Sequence, residues 1–335
     1  MPPAAIRRPV SITVWVLLSV VFLVLSPVLL AVAELVAILG GDRRLAIMVR
    51  IFLAYFAREL ATLVACGAIW VLAGAGALMR TSRIQAMHWR LLRWFVGGIA
   101  DTVLRTLRIE VVEEQGSEEA DVALYRDVPV LILSRHAGPG DTVLLIDRLL
   151  SHFGRRPSVV FREAIVLDPS VDLIAHRLPH AILDVDDPPE CEARIARTAA
   201  ALGPRGVLLL FPEGGNFTRE RHRSALKSLR RHGRHDAAKA AEQMEHVLPP
   251  RPTGVLTALR ANSDADVVFA AHTGLGLAAY PREIWRDLPM ERTLRTRMWL
   301  VPRSDIPTEE EDVAAWLTGW WLRIDDWIDA HGEER

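Results

Sequence analysis

Val130-Leu131-Ile132-Leu133-Ser134-Arg135-His136-Ala137-Gly138-Pro139-Gly140-Asp141 reads as a buried strand that enters a glycine- and proline-rich loop and then an apolar helix. A continuous apolar run of this length fits a strand covered on both faces, as in a parallel sheet. His136 falls in the loop after the strand's carboxyl end, where α/β folds place ligands. Asp141 is expected at the N-cap of the next helix. The intervening Gly and Pro residues let the loop turn back, so that the Asp141 carboxylate bonds one imidazole nitrogen of His136. The other nitrogen is then free to accept a proton from a hydroxyl. His-x4-Asp alone is short and frequent; the competing reading is an Asp that only caps and a His that only packs.

Further along, Gly206-Val207-Leu208-Leu209-Leu210-Phe211-Pro212-Glu213-Gly214-Gly215-Asn216 repeats the plan of strand, turn and acid. This predicts Glu213 at the same end of a parallel sheet as His136, with glycines that let a substrate approach the backbone. Between and beyond these runs, short apolar segments at 109–112, 158–161, 181–185, 266–271 and 297–301 read as strands. Helix-like stretches occupy 141–153, 189–202 and 309–331. The expected fold is α/β, a mostly parallel sheet flanked by helices and preceded by N-terminal membrane helices.

The paired motifs resemble the glycerolipid acyltransferase family that includes the 1-acylglycerol-3-phosphate acyltransferases. His136, Asp141, Phe211, Pro212, Glu213 and Gly214 match its two signatures residue by residue. Phe217-Thr218-Arg219-Glu220 and Leu248-Pro249-Pro250-Arg251-Pro252-Thr253-Gly254 look like the lysocardiolipin and lysophospholipid acyltransferase branch. The resemblance spans roughly Ile84 to Val301. It implies that His136 is the base on the acceptor hydroxyl, that Asp141 orients it, and that Glu213, with Gly214 and Gly215, helps hold the acceptor head group. The alkoxide attacks an acyl thioester, and coenzyme A or acyl carrier protein leaves. Backbone N–H groups near Gly138–Gly140 are candidates for the oxyanion. Family members commonly carry Thr-Arg after the Glu-Gly, with the Arg on the acceptor phosphate; here Gly215-Asn216 stands there. A second family Arg has Val185 near its place, and Phe161-Arg162-Glu163 resembles the start of that block. Arg162 and Arg219 are therefore the candidate replacements for the phosphate ligand.

The N-terminal third is apolar. Residues 10–39 hold a single acid, Glu34, and 60–79 hold no charge. About 20 apolar residues cross a bilayer, so two membrane helices are expected within residues 1–83, followed by an acyltransferase domain at 84–335. Ala31-Val32-Ala33 resembles a signal cleavage site, but the run exceeds the roughly 7–15 apolar residues of such signals and is read as an uncleaved anchor. Arg clusters lie between the two runs and after the second, so spanning and re-entrant arrangements both stay open. Residues 84–108 mix apolar and basic positions at helical spacing and predict an amphipathic helix on the membrane or on the domain. With a formal charge of −1 and only two cysteines, Cys66 and Cys191, the chain shows no nucleic-acid signature and no disulfide framework.

The remaining signals are weaker. Gly274-Leu275-Gly276-Leu277-Ala278-Ala279 fits a dinucleotide pattern but lacks its helix and acid, and reads as a turn lining the acyl site. His222, His232 and His235 lack a completing Cys or carboxylate, so no metal is expected; the charged stretch 218–239 reads as an exposed helical excursion. Trp316, Trp320 and Trp327 recur at helical spacing, as core or as an interfacial anchor. No G-x-S-x-G is present. The expected partners are a lysophospholipid acceptor, acyl-CoA or acyl carrier protein as co-substrate with no bound cofactor, and membrane lipid. The expected place is the cytoplasmic membrane, with the catalytic domain facing the cytosol. The competing readings are another lysophospholipid or glycolipid acceptor, and a non-catalytic membrane scaffold.

Overall fold

The computed structural model describes residues 2–274, 285, 286, 288 and 292–332. They form two compact units: residues 2–109, 161–186 and 288, and residues 110–160, 187–274, 285–286 and 292–332. The pattern at 275–279 lies outside the described residues.

The first unit is helical. α1 (Ala4–Val24) and α2 (Ser26–Gly40) run along α3 (Arg44–Leu72). The expected single helix over 10–39 is divided at Leu25, because Pro27 has no N–H with which to continue the ladder. The second apolar run likewise ends as a helix at Leu72, and residues 73–80 form glycine turns, with Gly74 and Gly76 at positive φ. Aromatic rings hold α1 to α3: Trp15 lies 5.8 Å from Tyr55 and Phe22 4.9 Å from Phe56. Ala33, Ala46 and Val49 close the contact of α2 with α3. The base of α1 is polar. Arg7 and Arg8 donate to Asp172 of α7 (Pro169–Arg177) at 3.2 and 2.9 Å. α1 is long and apolar enough to cross a membrane. Leu17, Leu18, Val21, Val24, Val28, Leu35, Ile38 and Leu39 of α1 and α2 all stand exposed. α4 (Ser82–Leu107) turns its apolar stripe inward: Ile84 packs on Ile69 and Ala73, and Arg58 of α3 donates to the Trp94 carbonyl at 2.6 Å.

The second unit is built on a sheet. Its strands are β1 (Glu110–Glu113), β2 (Val130–Ser134), β3 (Arg156–Arg162), β5 (Gly206–Leu210), β6 (Asp266–His272) and β7 (Thr293–Val301), in the order β1-β7-β6-β2-β5-β3. The short strand β4 (Ala181–Leu183) belongs to the first unit, as do the last residues of β3. All pairings in the second unit are parallel except β6 with β7. All five residues of both β2 and β5 are buried, as expected for strands covered on both faces. α5 (Glu118–Tyr125), α6 (Pro139–Asp147), α8 (Pro188–Ala200), α11 (Pro252–Ala261) and α12 (Glu310–Ala330) accompany the sheet, and the charged excursion forms α9 (Arg219–Arg231) and α10 (His235–Ala241). Of the C-terminal tryptophans Trp327 is buried, while Trp316 and Trp320 are half-buried against Phe269 of β6, Trp320 stacked at 4.4 Å and Trp316 edge-on at 5.2 Å.

Candidate active site

Three neighbouring strands deliver the site. β2 lies between β5 and β6 in parallel register, Leu133 opposite both Leu210 and Phe269. Their carboxyl ends therefore place Arg135-His136, Glu213 and His272 together; the chain runs from β2 to β3 on one side and from the adjacent β6 to β7 on the other, the usual place for a ligand crevice.

His136 Nδ1 lies 3.1 Å from both oxygens of Asp141. The carboxylate is 3% exposed and the imidazole 19% exposed. A carboxylate at Nδ1 keeps the proton on that nitrogen, so Nε2 carries the lone pair. The Phe211 ring lies 4.6 Å from the imidazole and limits its rotation. Asp141 is not the N-cap, contrary to expectation. Pro139 at the first helical position starts α6 earlier, Gly138 takes the cap, and Asp141 falls in the third helical position. From there its Oδ2 accepts the N–H groups of Ala137 at 2.7 Å and Gly138 at 3.0 Å, and Thr142 donates to Oδ1 at 3.0 Å. Burial alone would raise the Asp141 carboxyl, but the imidazoles of His136 and His272 outweigh it and hold the group far below its ordinary value. This geometry corrects the oxyanion assignment: the Ala137 and Gly138 amides are committed to Asp141. The first-turn amides of Gly140 and Asp141, which have no partner within a helix, remain for that role.

Glu213 was expected at the acceptor head group. It is 2% exposed, and its oxygens accept the His136 N–H at 2.8 Å and the Leu248 N–H at 2.9 Å. Glu213 therefore pins the His136 loop to the 248–251 segment and has no oxygen turned to solvent. Burial pushes its carboxyl up to about 7, against the lowering effect of those two N–H bonds. Gly214, at φ +69°, closes the turn by donating to the Phe211 carbonyl, and Gly215 follows it. The next residues return to the site, since Phe217 N–H donates to the His136 carbonyl at 3.0 Å. Arg219 is exposed at the first position of α9. Arg162 belongs to the first unit. Of the metal-weighed histidines, His222 and His232 each bond a backbone carbonyl, of Ala241 and Ser228.

Sequence reasoning missed three residues. His272 Nε2 sits 3.3 Å from Asp141 Oδ2, within charge range though not aligned as a hydrogen bond. Arg135, 1% exposed, donates to the carbonyls of His272 and His246 and ties β2 to both segments. Asp325 of α12 accepts the N–H groups of Glu245, His246 and Val247 at 2.9, 2.7 and 3.1 Å, and so sets the segment that reaches Glu213. Arg135 stands beside His136 and His272 ends a strand, so both had a positional signal; Asp325, deep in a C-terminal helix, had none.

Chemically, a carboxylate-backed imidazole with a free Nε2 at a helix N-terminus is equipped to deprotonate a hydroxyl and to stabilise an oxyanion beside it. Among curated proteins none matches the chain. The family model described as Acyltransferase matches residues 109–254, the segment that contains His136, Asp141 and Glu213. The chain thus carries an acyltransferase domain at residues 109–254.

Proposed function

We propose that the protein is a membrane-bound 1-acylglycerol-3-phosphate acyltransferase, which moves an acyl group from acyl-CoA or acyl carrier protein to the free hydroxyl of the lysolipid and forms phosphatidic acid. The observation that carries this reading is the contact of His136 Nδ1 with Asp141, which leaves Nε2 without a protein partner among the described residues. His136 Nε2 takes the hydroxyl proton while the oxygen attacks the thioester carbonyl. The tetrahedral oxyanion collapses, the carbon–sulfur bond breaks, and the proton passes from His136 to the departing thiolate. No covalent acyl-enzyme forms.

The exposed apolar side chains of α1 and α2 support membrane attachment, since a surface of that kind is stable against lipid and not against water. A cytosolic face for the catalytic domain follows from where acyl thioesters are found. The test is purified protein in detergent with labelled acyl-CoA or acyl carrier protein and a panel of lysolipids. Label in phosphatidic acid supports the reading. Transfer to another lysolipid alone replaces the acceptor, and no transfer to any acceptor points to a scaffold.

A further inference from the structure

Two guanidinium groups flank the Gly214-Gly215 turn. A Cβ on Gly214 would lie 3.3 Å from the Arg251 guanidinium, and one on Gly215 3.4 Å from Arg221 Nη1. Only Arg251 comes from distant sequence. Arg251 is brought in by its own N–H, which donates to the Pro212 carbonyl at 2.9 Å and lays residues 248–251 along the turn. Arg221, in the first turn of α9, is held by Nη1 donating to the Asn216 carbonyl at 3.0 Å. Both residues are exposed, and among the described residues neither pairs with a carboxylate. Two cations without counter-ions thus stand over a turn that lacks side chains. That turn is tied to the catalytic loop at both ends, through Glu213 to the His136 N–H and through Phe217 to the His136 carbonyl.

We infer that Arg221 and Arg251 bind the phosphomonoester of the acceptor, and so supply from α9 and the 248–251 segment the cations that Gly215-Asn216 lacks. The inference rests on the acyl-transfer reading for the word acceptor, and on geometry alone for the anion site. A guanidinium presents paired N–H donors that match two phosphate oxygens. Two of them suit a dianionic monoester better than a singly charged diester, and the absence of side chains at 214 and 215 lets both guanidinium groups lie close over the turn. Arg219, at the exposed start of the same helix, makes no such approach to the turn.

The experiment uses the full-length protein in detergent micelles. Titration calorimetry measures binding of 1-acylglycerol-3-phosphate and of the phosphate-free 1-acylglycerol to the parent, to Arg221→Gln, to Arg251→Gln and to the double variant. Arg223→Gln, exposed on the same helix, is the charge control. The parent is expected to prefer the phosphate-bearing lipid by about tenfold or more, and the double variant to lose most of that preference. In the transfer assay KM for the acceptor rises with kcat nearly unchanged, the signature of lost binding common to ground and transition states. Unchanged discrimination in the double variant, no preference in the parent, or an equal loss in Arg223→Gln would overturn the site. A parent that discriminates through these arginines yet transfers no acyl group would keep the site and overturn the acyl-transfer reading.

Discussion

Replacing Asp141 with Asn changes one atom, and the structure says which role each end of the new amide must take. The Oδ2 position accepts two backbone N–H groups, from Ala137 and Gly138, so the amide oxygen stays there. The NH2 group then falls at the Oδ1 position, 3.1 Å from His136 Nδ1. An NH2 there donates to Nδ1; the amide oxygen, also 3.1 Å from Nδ1, already takes two N–H groups and carries no charge, so the ring proton moves to Nε2, the atom meant to take a proton from the acceptor. Losing a general base costs about 10²–10⁴ in rate, which is about 2.7–5.5 kcal/mol of barrier. The fold loses the charge assistance on two N–H bonds and the Thr142 donation to Oδ1, about 1–3 kcal/mol. The assay is steady-state transfer of labelled acyl-CoA to 1-acylglycerol-3-phosphate, with thermal unfolding measured on the same preparation. The expected result is a fall in kcat of about a hundredfold or more with a folded protein. A folded Asp141→Asn variant as active as the parent would refute the tautomer argument.

Other consequences concern the frame around the dyad. Glu213 has its folded-state value raised to about 7 from an ordinary 4.5, so ionisation is disfavoured in the native protein. Its contribution is fully present below about 4.5 and is lost as pH rises to about 7, roughly 3 kcal/mol by linkage. Denaturant midpoints should therefore fall from pH 5 to pH 7 in the parent and stay flatter in Glu213→Gln; parallel profiles would remove this role. Asp325→Ala frees three N–H groups at 245–247 and should lower stability by about 2–4 kcal/mol, with kcat falling as the Leu248–Glu213 bond loosens; unchanged urea unfolding would contradict it. His272→Leu removes the imidazole beside Asp141 Oδ2. Transfer kinetics should show lower kcat with KM kept, and His272→Gln, which retains a donor at that distance, should recover part of it.

The sheet was legible because each of its strands is a short apolar run bounded by turn residues. That β7 runs antiparallel to β6 was not, since nothing local in residues 293–301 fixes their direction. The His136–Asp141 contact was legible from the Gly-Pro-Gly loop. The placement of Asp141 in the helix was not, because the pull of Pro139 toward the first helical position competes with the capping preference of Asp. Glu213 was found but misread. Its partners are main-chain amides of residues 136 and 248, and sequence carries no signal for bonds to a distant backbone. Hydropathy alone reads residues 10–39 as one helix; Pro27 makes two of it, Ala4–Val24 and Ser26–Gly40.

The most direct measurement is formation of labelled phosphatidic acid by the parent and by His136→Ala, in matched detergent preparations with saturating thioester. A base at Nε2 predicts product from the parent and a loss of about 10²–10⁴ in the variant, with its unfolding transition intact. Equal product from both proteins would mean that the imidazole does not take the acceptor's proton.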